Sequence, residues 1–165
     1  MSAQYTWRRL AALLLAVLPG TATLASETNG TKWPEGHTVV YTGMPGTSAS
    51  GITWSQALQE AAEAWNDATV FRFGIEAGYR DPCTESDGGV PTPNRTGADF
   101  GSSVCGREFD TNTLAVTLTY YETNPLGTND IFQSDIVFNS NQAFDVIDGP
   151  YPYSAGVDFR RVALH

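Results

Sequence analysis

One segment constrains the fold more than any other: ITWSQALQEAAEAWNDAT, residues 52–69. Its apolar residues, Trp54, Ala57, Leu58, Ala61, Ala62, Trp65 and Ala68, recur three and four apart, which is helical spacing. Gln56, Gln59, Glu60, Glu63 and Asn66 take the other face. Thr53 followed by Gln56 reads as a capping box at the start of the helix. A helix with one bulky stripe must bury that stripe against another layer. No other long stretch of the mature chain repeats this pattern, so the second layer has to be β-sheet.

The remaining patterns are those of strands. HTVVYTG (37–43) and VFRFGIEA (70–77) flank the helix. TLAVTLTYY (113–121) alternates Leu114, Val116, Leu118 and Tyr120 with threonine or a small residue. IFQSDIVFN (131–139) carries Gln133, Ser134 and Asp135 in its middle, and polar residues there suit a sheet edge better than a sheet centre. Residues 44–51, 78–110 and 140–156 are rich in Gly, Pro, Ser, Asn and Asp and read as loops. A final helix starts near Val157 or Asp158, where Asp158 suits the N-terminal end of the helix dipole. The predicted class is α+β: a twisted mixed sheet with one long packed helix and the start of a second.

The amino terminus reads as an export signal. Arg8 and Arg9 precede an apolar run from Leu10 to Leu18, then Pro19, Gly20 and small residues up to Ala25. That run is too short to span a bilayer. The predicted organisation is a signal peptide over 1–25, an extended leader over 26–36 and one domain over 37–165. The localisation is secreted or periplasmic. Removing Arg8 and Arg9 with the signal takes the formal charge from −9 to −11. Such a chain repels phosphate, which argues against a nucleic-acid partner. No later run is long enough for a membrane span. The acidic surplus, including Asp130, Asp135, Asp145, Asp148 and Asp158, makes calcium the hard cation that composition allows, although EF-hand spacing is absent. Cys83 and Cys105 are the only cysteines, and an even pair in an exported chain predicts a disulfide stapling the 78–110 segment.

The carboxyl-terminal run VDFRRVALH resembles the opening of the active-site helix of the zincin metallopeptidases, in the matrixin-like branch, where the pattern reads V-A-x-H-E-x-G-H. Val162, Ala163, Leu164 and His165 match its first half. WSQALQEAAEAWNDAT followed by VFRF is similar to the first long helix and next strand of that family. SDIVFN resembles its D-I-x-x-F edge strand above the cleft, and the whole is most similar to secreted bacterial members. The resemblance implies a zincin/metzincin-like N-terminal subdomain and a zinc-dependent endopeptidase acting on extracellular proteins. It makes His165 the first zinc ligand. In this chemistry zinc keeps an open position for water, and the glutamate after the first histidine takes the proton from that water. That glutamate and the other ligands follow His165 in the pattern, so the chain reads as a front fragment, inactive by itself, with no catalytic residue of its own. The resemblance further implies an extended peptide or protein substrate pairing with the backbone of Ile136, Val137, Phe138 and Asn139 by strand addition, in a monomer. His37, the only other histidine, reads as a strand-edge residue rather than a ligand. A secreted non-catalytic binding module, or a degenerate relative of the peptidases, is the alternative.

Overall fold

The computed structural model describes residues 31–33, 36–84, 95–150 and 156–165. The predicted signal peptide lies outside them. In chain order the elements are β1 (Thr31–Lys32), β2 (His37–Tyr41), α1 (Trp54–Ala68), β3 (Arg72–Glu76), β4 (Arg95–Thr96), β5 (Ala98–Gly101), β6 (Ala115–Thr123), β7 (Asn129–Asn139), β8 (Phe144–Asp145), β9 (Val157–Asp158) and α2 (Phe159–Ala163). The class is α+β, as the patterns predict.

Helix α1 forms where its stripe lies. The Thr53 hydroxyl accepts the backbone N–H of Gln56 at 3.1 Å, which satisfies one orphan donor of the first turn. The reciprocal half of the capping box does not form, because the Gln56 side chain donates to Glu60 Oε1 instead. Ala57, Leu58, Ala61 and Ala62 are buried, whereas Trp65 and Ala68 near the helix end are exposed.

The sheet is a mixed one built around a βαβ unit. β2 pairs in parallel with β3 on one side and with β4 on the other. Gly97 alone separates β4 from β5, and β5 runs parallel to β7. The join is continuous, since the Gly97 carbonyl accepts the N–H of Ile136 at 2.9 Å. Strand β6 lies antiparallel to β7 along its whole length. The order is therefore β3, β2, β4/β5, β7, β6, with β1 pairing in parallel with the start of β7 on the edge that β5 shares.

Three sequence expectations need correction here; one is that 140–156 is loop, since it holds the short strand β8, paired in parallel with β9. The 78–110 segment is not all loop: residues 95–96 and 98–101 form strands in the middle of the sheet. Arg-Thr-Gly-Ala-Asp-Phe-Gly has no strand alternation, so its pairing comes from its neighbours rather than its propensity. The 131–139 strand is not an edge. Its residues 136–139 pair with β5 on one side, and 136–138 pair with β6 on the other. Its polar centre is tolerated because it is bonded internally. Asp135 is fully buried, and its carboxylate accepts the Gly97 N–H at 2.6 Å and the Gln133 side-chain amide at 2.5 Å. A Cβ at residue 97 would meet the Arg80 carbonyl at 2.7 Å, so only glycine lets the chain approach here.

The core lies between α1, α2 and one face of the sheet. Val40, Ala98, Phe138, Ala57, Leu58, Ala62 and Phe159 are its buried centre. Phe138 and Phe100 form a cross-strand pair, and Trp54, Phe144 and Phe159 close around them. The predicted disulfide is present, joining Cys83 to Cys105.

Two stability measurements check this account. Replacing both cysteines with serine is expected to lower the unfolding free energy by about 2–4 kcal/mol, read by urea titration. Asp135→Ala strands a buried N–H and a buried amide, and is expected to cost about 3 kcal/mol by the same method.

Candidate functional site

A groove of about 440 Å³ opens where the C-terminal helix meets the sheet. Thr113, Leu114, Ala115 and Thr117 line one wall, Ile136 lies beside them, and Val162, Ala163 and His165 form the other wall. The pairing register explains the β-side lining. Ala115 opposes Phe138 and Thr117 opposes Ile136, so these residues share the face that carries the core. Val116 and Leu118 point to the other face, where they border a second cavity with Val104 and Cys105 of the disulfide segment.

Among the described residues β6 pairs with β7 alone, so no strand lies along its outer edge. Of the four residues expected to lie along the cleft, Ile136 lines the groove, Phe138 is core and Val137 is buried. Asn139 is buried too; its backbone N–H and side-chain amide donate to the carbonyls of Leu114 and Thr113, both at 2.8 Å. The backbone of 136–139 is thus engaged on both sides and is not open to an added strand. The open edge beside the groove belongs to β6.

His165 is exposed and directly follows the last turn, its N–H donating to the Val162 carbonyl at 3.1 Å. The turn before it is well held. Asp158 caps α2, accepting the Arg160 N–H at 3.3 Å, and pairs with the Arg161 guanidinium at 2.9 Å. Arg160 reaches Glu60 of α1 at 2.9 Å, the Ile147 carbonyl at 3.0 Å and Asp148 at 2.5 Å. The Asp148 carboxylate, with help from Glu60, raises the Arg160 pKa above its ordinary value against the opposing effect of partial burial. At the far end the Trp65 indole N–H donates to the Leu164 carbonyl at 2.9 Å. Sequence reasoning assigned Trp65 to the core stripe and gave Arg160 no role. The only signal for Arg160 was a pair of arginines inside a helix opposite an acidic α1 face.

Catalytic zinc takes three protein ligands and leaves one position open. The groove offers one imidazole, and the described residues contain no group of three His, Cys, Asp or Glu placed to hold a metal. His37 sits at the exposed start of β2 and does not line the groove. The residues present therefore do not make a zinc site by themselves. The five aspartates considered for calcium bond to protein groups. Asp130 accepts the Asn124 amide, Asp145 the N–H groups of Ser50 and Val146, and Asp135, Asp148 and Asp158 the partners given above. Those two backbone donors hold the Asp145 carboxyl below the usual carboxylate range.

The alternation along β7 is testable. Ile136→Ala trims a half-buried groove residue and is expected to cost about 1–2 kcal/mol, while Phe138→Ala empties the core and costs about 3–5 kcal/mol, both read by chemical denaturation. Comparison with protein-family models, with curated proteins and with solved structures finds no match to this chain.

Proposed function

We propose that this chain supplies the substrate-binding sheet and the first metal ligand of a secreted zinc-dependent endopeptidase of the matrixin-like zincin type. The observation that carries the reading is the juxtaposition at the groove: β6, which among the described residues pairs with β7 alone, stands opposite the histidine that closes the V-A-x-H run. An extended peptide can add to such an edge through its main chain, with alternate side chains pointing into the groove. The apolar lining from Leu114, Ala115, Ile136, Val162 and Ala163 suits an apolar side chain there. Strand addition thus moves from residues 136–139 to β6.

His165 contributes one metal ligand in this reading. The pattern puts the remaining ligands and the general base after it. The disulfide supports an oxidising compartment. No helix among the described residues is long and apolar enough to cross a membrane.

A secreted peptide-binding module would use the same β6 edge without hydrolysis. The test is an assay of the natural secreted protein, carrying whatever follows residue 165, on an unfolded protein substrate. The expected result is hydrolysis that a zinc chelator abolishes and added zinc restores, with His165→Ala lowering kcat/KM by at least about 10³-fold. Peptide binding without chelator-sensitive hydrolysis would leave the binding module in its place.

A further inference from the structure

Helix α2 has five residues, too few to hold its own direction, so something else must aim the residue that follows it. Phe159 gives a pivot: it is fully buried against Phe138 with ring centroids 4.5 Å apart. Val162 and Ala163 also pack against the core, so apolar contacts seat the inner face of the helix and leave its sideways swing to polar ties. Two polar contacts to α1 remove that freedom. Glu60 holds Arg160 in the first turn, and Trp65 holds the Leu164 carbonyl in the last. Glu60 and Trp65 are five residues apart on α1, roughly 7.5 Å along its axis, so two separated points tie α2 to the longer helix. A third tie runs from Arg160 to Asp148 and the Ile147 carbonyl, in the segment after β8.

We propose that Arg160 is the positioning residue of His165: its guanidinium, bridging Glu60, Asp148 and the Ile147 carbonyl, sets the angle of α2 that points the imidazole into the groove beside β6. The functional meaning of that angle rests on the metal-ligand reading of His165, whereas the coupling itself does not. A guanidinium suits this task because its planar fork serves several acceptors at once, and a lysine ammonium cannot reproduce the fork. Half of the bridge is an exposed ion pair of the kind that contributes little to stability. The principal effect of losing it is therefore on orientation.

The test uses methyl- and imidazole-resolved NMR on the protein as secreted. In the wild type, His165 ring protons are expected to show through-space contacts to the methyls of Ile136 and Thr117. Arg160→Gln is expected to lose those contacts and to speed hydrogen exchange of the Trp65 indole N–H about tenfold, while core amides keep their protection. Arg160→Lys is expected to restore neither. Unchanged His165 contacts in folded Arg160→Gln, or full recovery in Arg160→Lys, would overturn the proposal. Should Arg160→Gln fail to fold, Glu60→Gln removes the α1 acceptor alone and is expected to weaken the same contacts; unchanged contacts there would overturn it equally. If the coupling holds and the secreted protein shows no chelator-sensitive hydrolysis, the peptidase reading fails while the positioning role stands.

Discussion

The packing of Phe159 on Phe138 is the contact on which the rest of the structure depends. Phe138 comes from β7, an interior strand of the mixed sheet, and Phe159 opens the last helix. Trp54 brings α1 to the same cluster, Phe100 brings the strand beside β7, and Phe144 brings the β8 segment. Five elements, contributing rings from Trp54 to Phe159, meet in one set of tilted and edge-to-face rings. Aromatic groups are suited to this, because each buries a large area and prefers a definite ring geometry. Without that node α2 has no reason to fold, and the groove loses one of its walls.

The second constraint is electrostatic. β7 can occupy the interior of the sheet despite Gln133 and Asp135 because the Asp135 carboxylate meets the Gly97 N–H and the Gln133 amide. A buried carboxylate without such donors would be expelled to an edge. Gly97 completes the arrangement by letting the 95–101 run pass close to Arg80 while bonding both β2 and β7 through the short strands on either side of it. With β7 inside, β6 is the edge strand among the described residues, and its Thr117 rather than the 136–139 backbone faces the groove that His165 borders.

The parts of the fold legible in the sequence were those carried by local pattern. The α1 stripe, the Thr53 cap, the flanking strands of the βαβ unit and the cysteine pair could all be read from spacing and residue type. What could not be read depended on partners distant in sequence. Residues 95–101 look like loop because their strand character comes from β2 and β7. Polar residues in 133–135 look like an edge because their hydrogen-bond partners include Gly97, thirty-eight residues from Asp135. At the site, the V-A-x-H run and its helical start were visible, but the edge strand facing it was assigned to the wrong segment. The anchoring of α2 through Arg160 and Trp65 was not visible at all, since both act through side-chain contacts about a hundred residues apart.

Under the proposed peptidase reading, His165 is the first ligand of a metal site whose other members would follow it in the chain. The most direct measurement is to read the messenger or genomic sequence past the codon for His165. The account predicts that the same frame continues with glutamate next and a second histidine four residues after His165, one helical turn on and on the same face. A continuing frame without that pair, or a stop codon directly after His165, would contradict the metal-ligand assignment and leave the β6 edge as a binding surface alone.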